Sequence, residues 1–166
     1  MLRAATAADF PFIRGIAGRP ENALFITDED EAALATYLAD PATRLLIWDR
    51  QGQPAGYALF CTVGEPSGAV ELRRLALAKS GGGQGQVFVR ALLDHGFGTL
   101  AARRLWLDAS AENPRAMQTY ARAGFTLEGR LRQHWYRPAL GRVVDLMLYG
   151  MLREEWESLE PLAHRA

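Results

Sequence analysis

Cysteine and lysine are almost missing from this chain of 166 residues. There is one of each, Cys61 and Lys79, and the rest of the positive charge lies on eighteen arginines. A single cysteine excludes an internal disulfide. With three separated histidines, His95, His134 and His164, it also excludes a zinc site of the usual ligand spacing, so no metal is expected. Cys61 closes an apolar run, Ala58-Leu59-Phe60-Cys61, and reads as a small buried hydrophobe rather than a nucleophile. No apolar stretch approaches the ~20 residues a membrane helix needs, and residues 1–9 lack the charged-then-apolar order of a secretory leader. The expectation is a cytoplasmic protein with no membrane partner. Excess charge is lacking as well. Nineteen basic residues balance nineteen acidic ones, which argues against a general nucleic-acid binder.

What is present is a 49% hydrophobic composition, enough for one domain over residues 1–166 that buries about two thirds of its unfolded surface. Leu2–Thr6 reads as a strand. Thr6 or Asp9 caps a helix carrying Phe10, Ile13 and Ile16, which Arg19-Pro20 breaks. A helix over 28–39 stops at Asp40-Pro41. Three strands follow, over 43–49, 54–63 and 69–78, joined by turns at 50–53 and 64–68. Beyond the glycines of 81–86, Val87, Phe88, Ala91, Leu92 and His95 share one helical face, with Arg90 and Asp94 paired elsewhere on it. A strand over 104–109 leads to a helix over 113–123, with Asn113 at its N-cap, Pro114 at its first position and Gly124 past its end. Two strands, 125–132 and 143–152, complete an α/β domain with a mixed sheet. The basic, aromatic stretch Arg130–Arg137 reads as the connection between them.

Gly81, Gly82, Gly83 and Gly85 lie between a strand and a helix, where backbone N–H groups and a helix N-terminus converge on an anion. Neither common phosphate motif is satisfied. Lys79-Ser80 follows Ala78, with Arg73 where a Walker loop needs glycine, and Gln86 stands at the last glycine of a dinucleotide fingerprint. The loop instead resembles the G-x-G-x-G/A pyrophosphate loop of the GNAT acyltransferases. Leu75-Ala76-Leu77 resembles their fourth strand and Ala102–Leu107 their fifth. The run Asn113-Pro114-Arg115-Ala116-Met117-Gln118-Thr119-Tyr120-Ala121-Arg122-Ala123-Gly124-Phe125-Thr126-Leu127-Glu128-Gly129 resembles their N-x-x-A-x-x-x-Y-x-x-x-G-F-x-x-E-G signature. The resemblance covers the whole chain and is sharpest in the branch that acetylates N-termini of ribosomal proteins. Ser80 departs from it, standing where many members carry Arg or Gln.

The resemblance implies a single GNAT domain, a mixed, mostly antiparallel sheet of about seven strands flanked by about four helices. It implies an enzyme that moves an acetyl group from acetyl-CoA, its co-substrate, to a primary amine in a ternary complex. The acceptor it favours is a protein N-terminal α-amine. A small amine (antibiotic, polyamine or amino-acid derivative) is the alternative, and a non-catalytic acyl-CoA sensor is the rival from another class. Homodimers through the late strands belong to the same resemblance. Cofactor contacts fall on Leu75, Ala76, Leu77, Gly81, Gly82, Gly83, Gln84, Gly85, Gln86, Asn113 and Arg115. Tyr120 becomes the acid for the leaving sulfur, since a phenol of pKa about 10 is protonated at neutral pH. Glu71 becomes the base. Charge is also segregated. Residues 21–40 hold six carboxylates and no cation, while residues 103–142 hold eight arginines against three carboxylates. From this the acidic segment is expected to attract a cationic acceptor.

Overall fold

The computed structural model describes residues 1–159, and His164 lies outside them. Seven strands form one sheet: β1 (Leu2–Ala4), β2 (Arg44–Arg50), β3 (Gln53–Cys61), β4 (Ala69–Leu77), β5 (Arg104–Ser110), β6 (Thr126–Arg137) and β7 (Arg142–Leu152). Their order is β1-β2-β3-β4-β5-β7-β6. Every neighbouring pair is antiparallel except β4 and β5. That parallel step follows from the crossover between them, which contains α4 (Gln84–Asp94) and a π turn at His95–Thr99. The other helices are α1 (Phe10–Ala17), α2 (Pro20–Ala23), α3 (Glu31–Ala39), α5 (Pro114–Arg122) and α6 (Arg153–Leu159).

The sheet separates two hydrophobic clusters. Phe88, Val89, Leu92 and Leu93 of α4 pack with Leu46, Phe60, Leu72, Leu105, Leu107, Tyr149 and Met151, from strands on both sides of the β4–β5 junction. On the opposite face Phe10, Ile13, Ile16 and Leu34 pack on Leu45, Ile47, Tyr57, Leu59 and Ala76, all from β2, β3 and β4. Helix α4 thus packs on one face across the β4–β5 junction, while α1 and α3 pack on the other face only over β2, β3 and β4.

Six α-helices stand among the described residues instead of about four. Pro20 does not only break α1. It occupies the first turn of α2, where its missing N–H costs nothing. Val87 does not share the buried face of α4 and is 53% exposed. Strand β6 runs to Arg137, so the connection expected over Arg130–Arg137 is strand, and the turn is the short 3-10 segment Pro138–Leu140. After Leu152, where the last strand ends as expected, the chain turns into α6.

Arg3 of β1 ties the first turn to the sheet. Its guanidinium donates to both carboxylate oxygens of Asp9, at 2.8 and 2.9 Å, and to Asp49 at 2.8 Å. That pairing, helped by the Thr6 N–H, holds the Asp9 carboxyl down to about 2. The folded value lies below the unfolded one, so the stabilisation is complete above about pH 4 and is lost on acidification towards pH 2. Asp9→Asn therefore costs about 2 kcal/mol at pH 7 and flattens stability between those limits, as measured by urea denaturation across pH.

Candidate active site

The sheet is not closed between β4 and β5. Their register comprises three pairs, Ala69–Arg104, Val70–Leu105 and Glu71–Trp106. Beyond Glu71 the strands part, although β4 continues to Leu77 and β5 to Ser110. Residues 72–77 pair only with β3, where the register skips Arg73 as a bulge. Leu75, Ala76 and Leu77 therefore lie along an inner sheet edge whose backbone groups face a gap. Such an edge presents N–H and C=O groups to any extended, amide-bearing chain.

The gap leads to the glycine loop. Gly81, Gly82 and Gly83 have φ of 104°, 59° and 74°, a left-handed path that side chains disfavour. A Cβ at any of the three would meet nothing within 4 Å, so the loop borders open space. Gly83 caps α4, an eleven-residue helix whose first N–H groups and dipole favour an anion there. Gln84 opens that helix. At Gly85 the helix runs close to α5, and a Cβ there would lie 3.6 Å from Thr119. The Gln86 side chain is directed into the protein and donates to the Thr119 carbonyl at 2.9 Å. Asn113 uses its side-chain oxygen to cap α5 through the Ala116 N–H at 3.1 Å. Arg115 is exposed on the first turn of that helix. The open cradle, the helix terminus and the bare strand edge together fit a pyrophosphate followed by an amide-bearing arm, the chemistry of a coenzyme A thioester.

Tyr120 is 7% exposed, with edge-on rings of Phe125 at 6.0 Å and Tyr149 at 5.7 Å. Its hydroxyl makes no hydrogen bond among the described residues. Burial first, then the charge of Asp108, pushes its pKa well above that of a free phenol. The phenol keeps its proton at any physiological pH and is available as a donor. Cys61 is buried and its thiol is pushed up to about 11, so it too stays protonated.

Glu71, the last residue of β4 paired with β5, is 9% exposed, and Arg73 holds it at 2.7 and 3.0 Å. A second carboxylate, Asp108, lies across the gap on β5. Leu105, Leu107 and Ala109 point into the α4 cluster, so strand alternation turns Asp108 to the opposite face, where it keeps contact with solvent. Partial burial, followed by the negative charge of Glu71, raises its pKa; His134, Arg74 and Arg73 oppose the rise. His134 comes near through a second bulge. Residues 132–134 stand out between the pairs Leu131–Leu146 and Trp135–Val144, and Asp145 pins them by accepting the Gln133 N–H at 2.7 Å. Asp108 escapes sequence reading because one aspartate near the end of an apolar strand is unremarkable. Only the departure of β4 gives it a cleft.

The acidic stretch of residues 21–40 is largely engaged within the fold. Asp28 meets Arg14 at 3.3 Å, Asp30 caps α3 through Ala33 at 2.9 Å, and Asp40 accepts the Ala42 N–H at 2.8 Å. Glu29 accepts from Arg74 and from the Tyr37 hydroxyl, both at 2.8 Å. Two of these carboxylates, Asp28 and Glu29, are thus paired with arginines, while Asp30 and Asp40 are bonded to backbone N–H groups and keep their charge.

Residues 10–125 match the acetyltransferase (GNAT) family. Uncharacterized N-acetyltransferases of Mycobacterium tuberculosis and Mycobacterium bovis are 32% identical over 133 residues, covering 77% of this chain and 83% of theirs. Among solved structures, spermidine N-acetyltransferase from Vibrio cholerae in complex with CoA and spermine superposes with a TM-score of 0.81 at 21% identity, over 95% of this chain and 97% of that one. A dodecameric structure of that enzyme gives 0.80 at 22% identity, over 96% and 97%. The opened strand pair, the glycine cradle and the buried tyrosine thus occur in a chain that belongs to the GNAT family of acetyl-CoA-dependent N-acetyltransferases.

Proposed function

We propose that this enzyme acetylates a primary amine of a small cationic molecule, with Asp108 as the base and Tyr120 as the acid. The observation that carries this reading is the place of Asp108 on β5, two residues beyond the last β4–β5 pair and on the sheet face opposite the α4 cluster, across from the unpaired edge of β4. Acetyl-CoA supplies an acetyl thioester and a thiolate leaving group. The glycine loop and the α4 N-terminus hold its phosphates. The β4 edge aligns its amide arm and directs backbone donors at developing negative charge. Asp108 takes the proton that an alkylammonium must lose before it can attack, a step that matters because such groups titrate near pH 10, as lysine does (about 10.4). Glu71, held by Arg73, contributes by disfavouring the charged form of Asp108, which makes Asp108 the stronger base. Tyr120 offers its Oη proton from the opposite face of the sheet.

A small acceptor replaces the protein N-terminus as the favoured substrate. Its support is the spermidine and spermine named for the neighbouring structures. The test is thiol release from acetyl-CoA with spermidine, spermine, an aminoglycoside and a peptide bearing a free N-terminus. Turnover of a polyamine or other small amine at least tenfold above the peptide is the expected result. Preference for the peptide would overturn the acceptor assignment. Tight CoA binding with no turnover on any amine would instead make the protein a sensor.

A further inference from the structure

Arg137, at the end of β6, is 2% exposed and has no carboxylate partner among the described residues. Its Nε donates to the Leu24 carbonyl at 3.1 Å. Nη2 donates to the Ile26 carbonyl at 3.0 Å and to that of Ala23, and Nη1 to the Thr27 hydroxyl at 3.4 Å. The guanidinium is stacked 4.1 Å from the Trp135 ring centre. One buried cation thus gathers four oxygens from a stretch of chain more than a hundred residues away, residues 23–27, which lies at and just past the end of the four-residue α2. Two residues further on, Glu29 of the same stretch is held by Arg74 of β4 at 2.8 Å. Arg74 and Arg137 stand on opposite sides of the β4–β5 opening, and each grips the segment between them. That segment therefore crosses the acceptor face where helices α1 and α3 no longer cover the sheet.

We propose that Arg137 is a positioning residue that fixes residues 23–29 as a strap over the acceptor half of the cleft and so sets the affinity for the amine. The inference rests on the acetyl-transfer reading above. A planar fork of five donors suits several converging carbonyls, whereas a lysine ammonium can satisfy only part of the set. Without the cation, four oxygens lose a buried donor and the strap loses its hold on the β6 side, while the cofactor half is untouched.

The experiment compares wild type, Arg137→Met and Arg137→Lys by steady-state kinetics with spermidine and acetyl-CoA, and by amide hydrogen exchange without substrate. Arg137→Met is expected to raise KM for spermidine tenfold or more, with kcat within about threefold and KM for acetyl-CoA unchanged. Arg137→Lys is expected to fall between it and wild type. Exchange at residues 23–29 is expected to speed at least tenfold, with β4 and β5 unchanged. Unaltered exchange at 23–29, or exchange that rises uniformly through the sheet, would overturn the strap. Equal loss for both substrates would overturn its link to the acceptor. If Arg137→Met does not fold, Arg137→Lys carries both readouts. If wild type acetylates no amine, the acetyl-transfer reading has failed and exchange alone decides the strap.

Discussion

Tyr120→Phe lowers kcat by at least about tenfold, within the range for a lost general acid, and leaves KM for acetyl-CoA within about twofold. The reasoning is geometric. The ring fills a position between Phe125 and Tyr149 in the α4 cluster, and phenylalanine keeps that shape. Only Oη is removed, and it takes part in no hydrogen bond among the described residues, so folding loses little when it goes. Rate and stability should therefore separate, with a large fall in turnover and a melting temperature close to wild type. A kcat within twofold of wild type would remove Tyr120 from the chemistry.

Asp108→Asn is expected to lower kcat/KM for the amine about 100-fold at pH 7, and its pH dependence identifies the cause. In wild type, kcat/KM falls as pH drops through the raised pKa of Asp108, because only the carboxylate accepts a proton. The variant loses that acid limb. Stability moves the other way. A carboxyl whose pKa is higher folded than unfolded disfavours the fold when ionised. This penalty is absent below the unfolded value of about 3.9 and complete above the folded one. The asparagine variant should thus gain thermal stability at pH 8 and none at pH 3. A variant that is slow because it is misfolded would lose stability at both.

The punctuated elements were legible in the sequence. Asn113, Pro114 and Gly124 bracket α5 as their cap preferences require, and the strands 43–49 and 104–109 carry their own boundaries. Tyr120 and the glycine loop came from motif resemblance; the loop follows the open end of β4, and the tyrosine lies buried against Phe125 and Tyr149. What escaped depends on contacts distant in sequence. Strand β6 is an exposed edge interrupted by a bulge, so Arg130–Arg137 lacks the alternation that marks a half-buried strand. Helix α2 begins with the proline that was read as a stop. Asp108 has meaning only relative to a strand that has turned away. Arg137 was one arginine among eight in its region, and its burial is set by carbonyls more than a hundred residues earlier.

The three-pair junction of β4 and β5 also bears on how the molecule comes apart. It divides the sheet into half-sheets β1–β4 and β5–β7–β6, joined along one short seam. The α4 cluster crosses that seam, and the opposite cluster does not. Unfolding should find this line first, with each half a separate cooperative unit in hydrogen exchange. A ligand lying in the seam bridges both halves and acts as a staple. Saturating CoA should then raise the melting temperature and merge the two units into one transition, as linkage to the intact state requires.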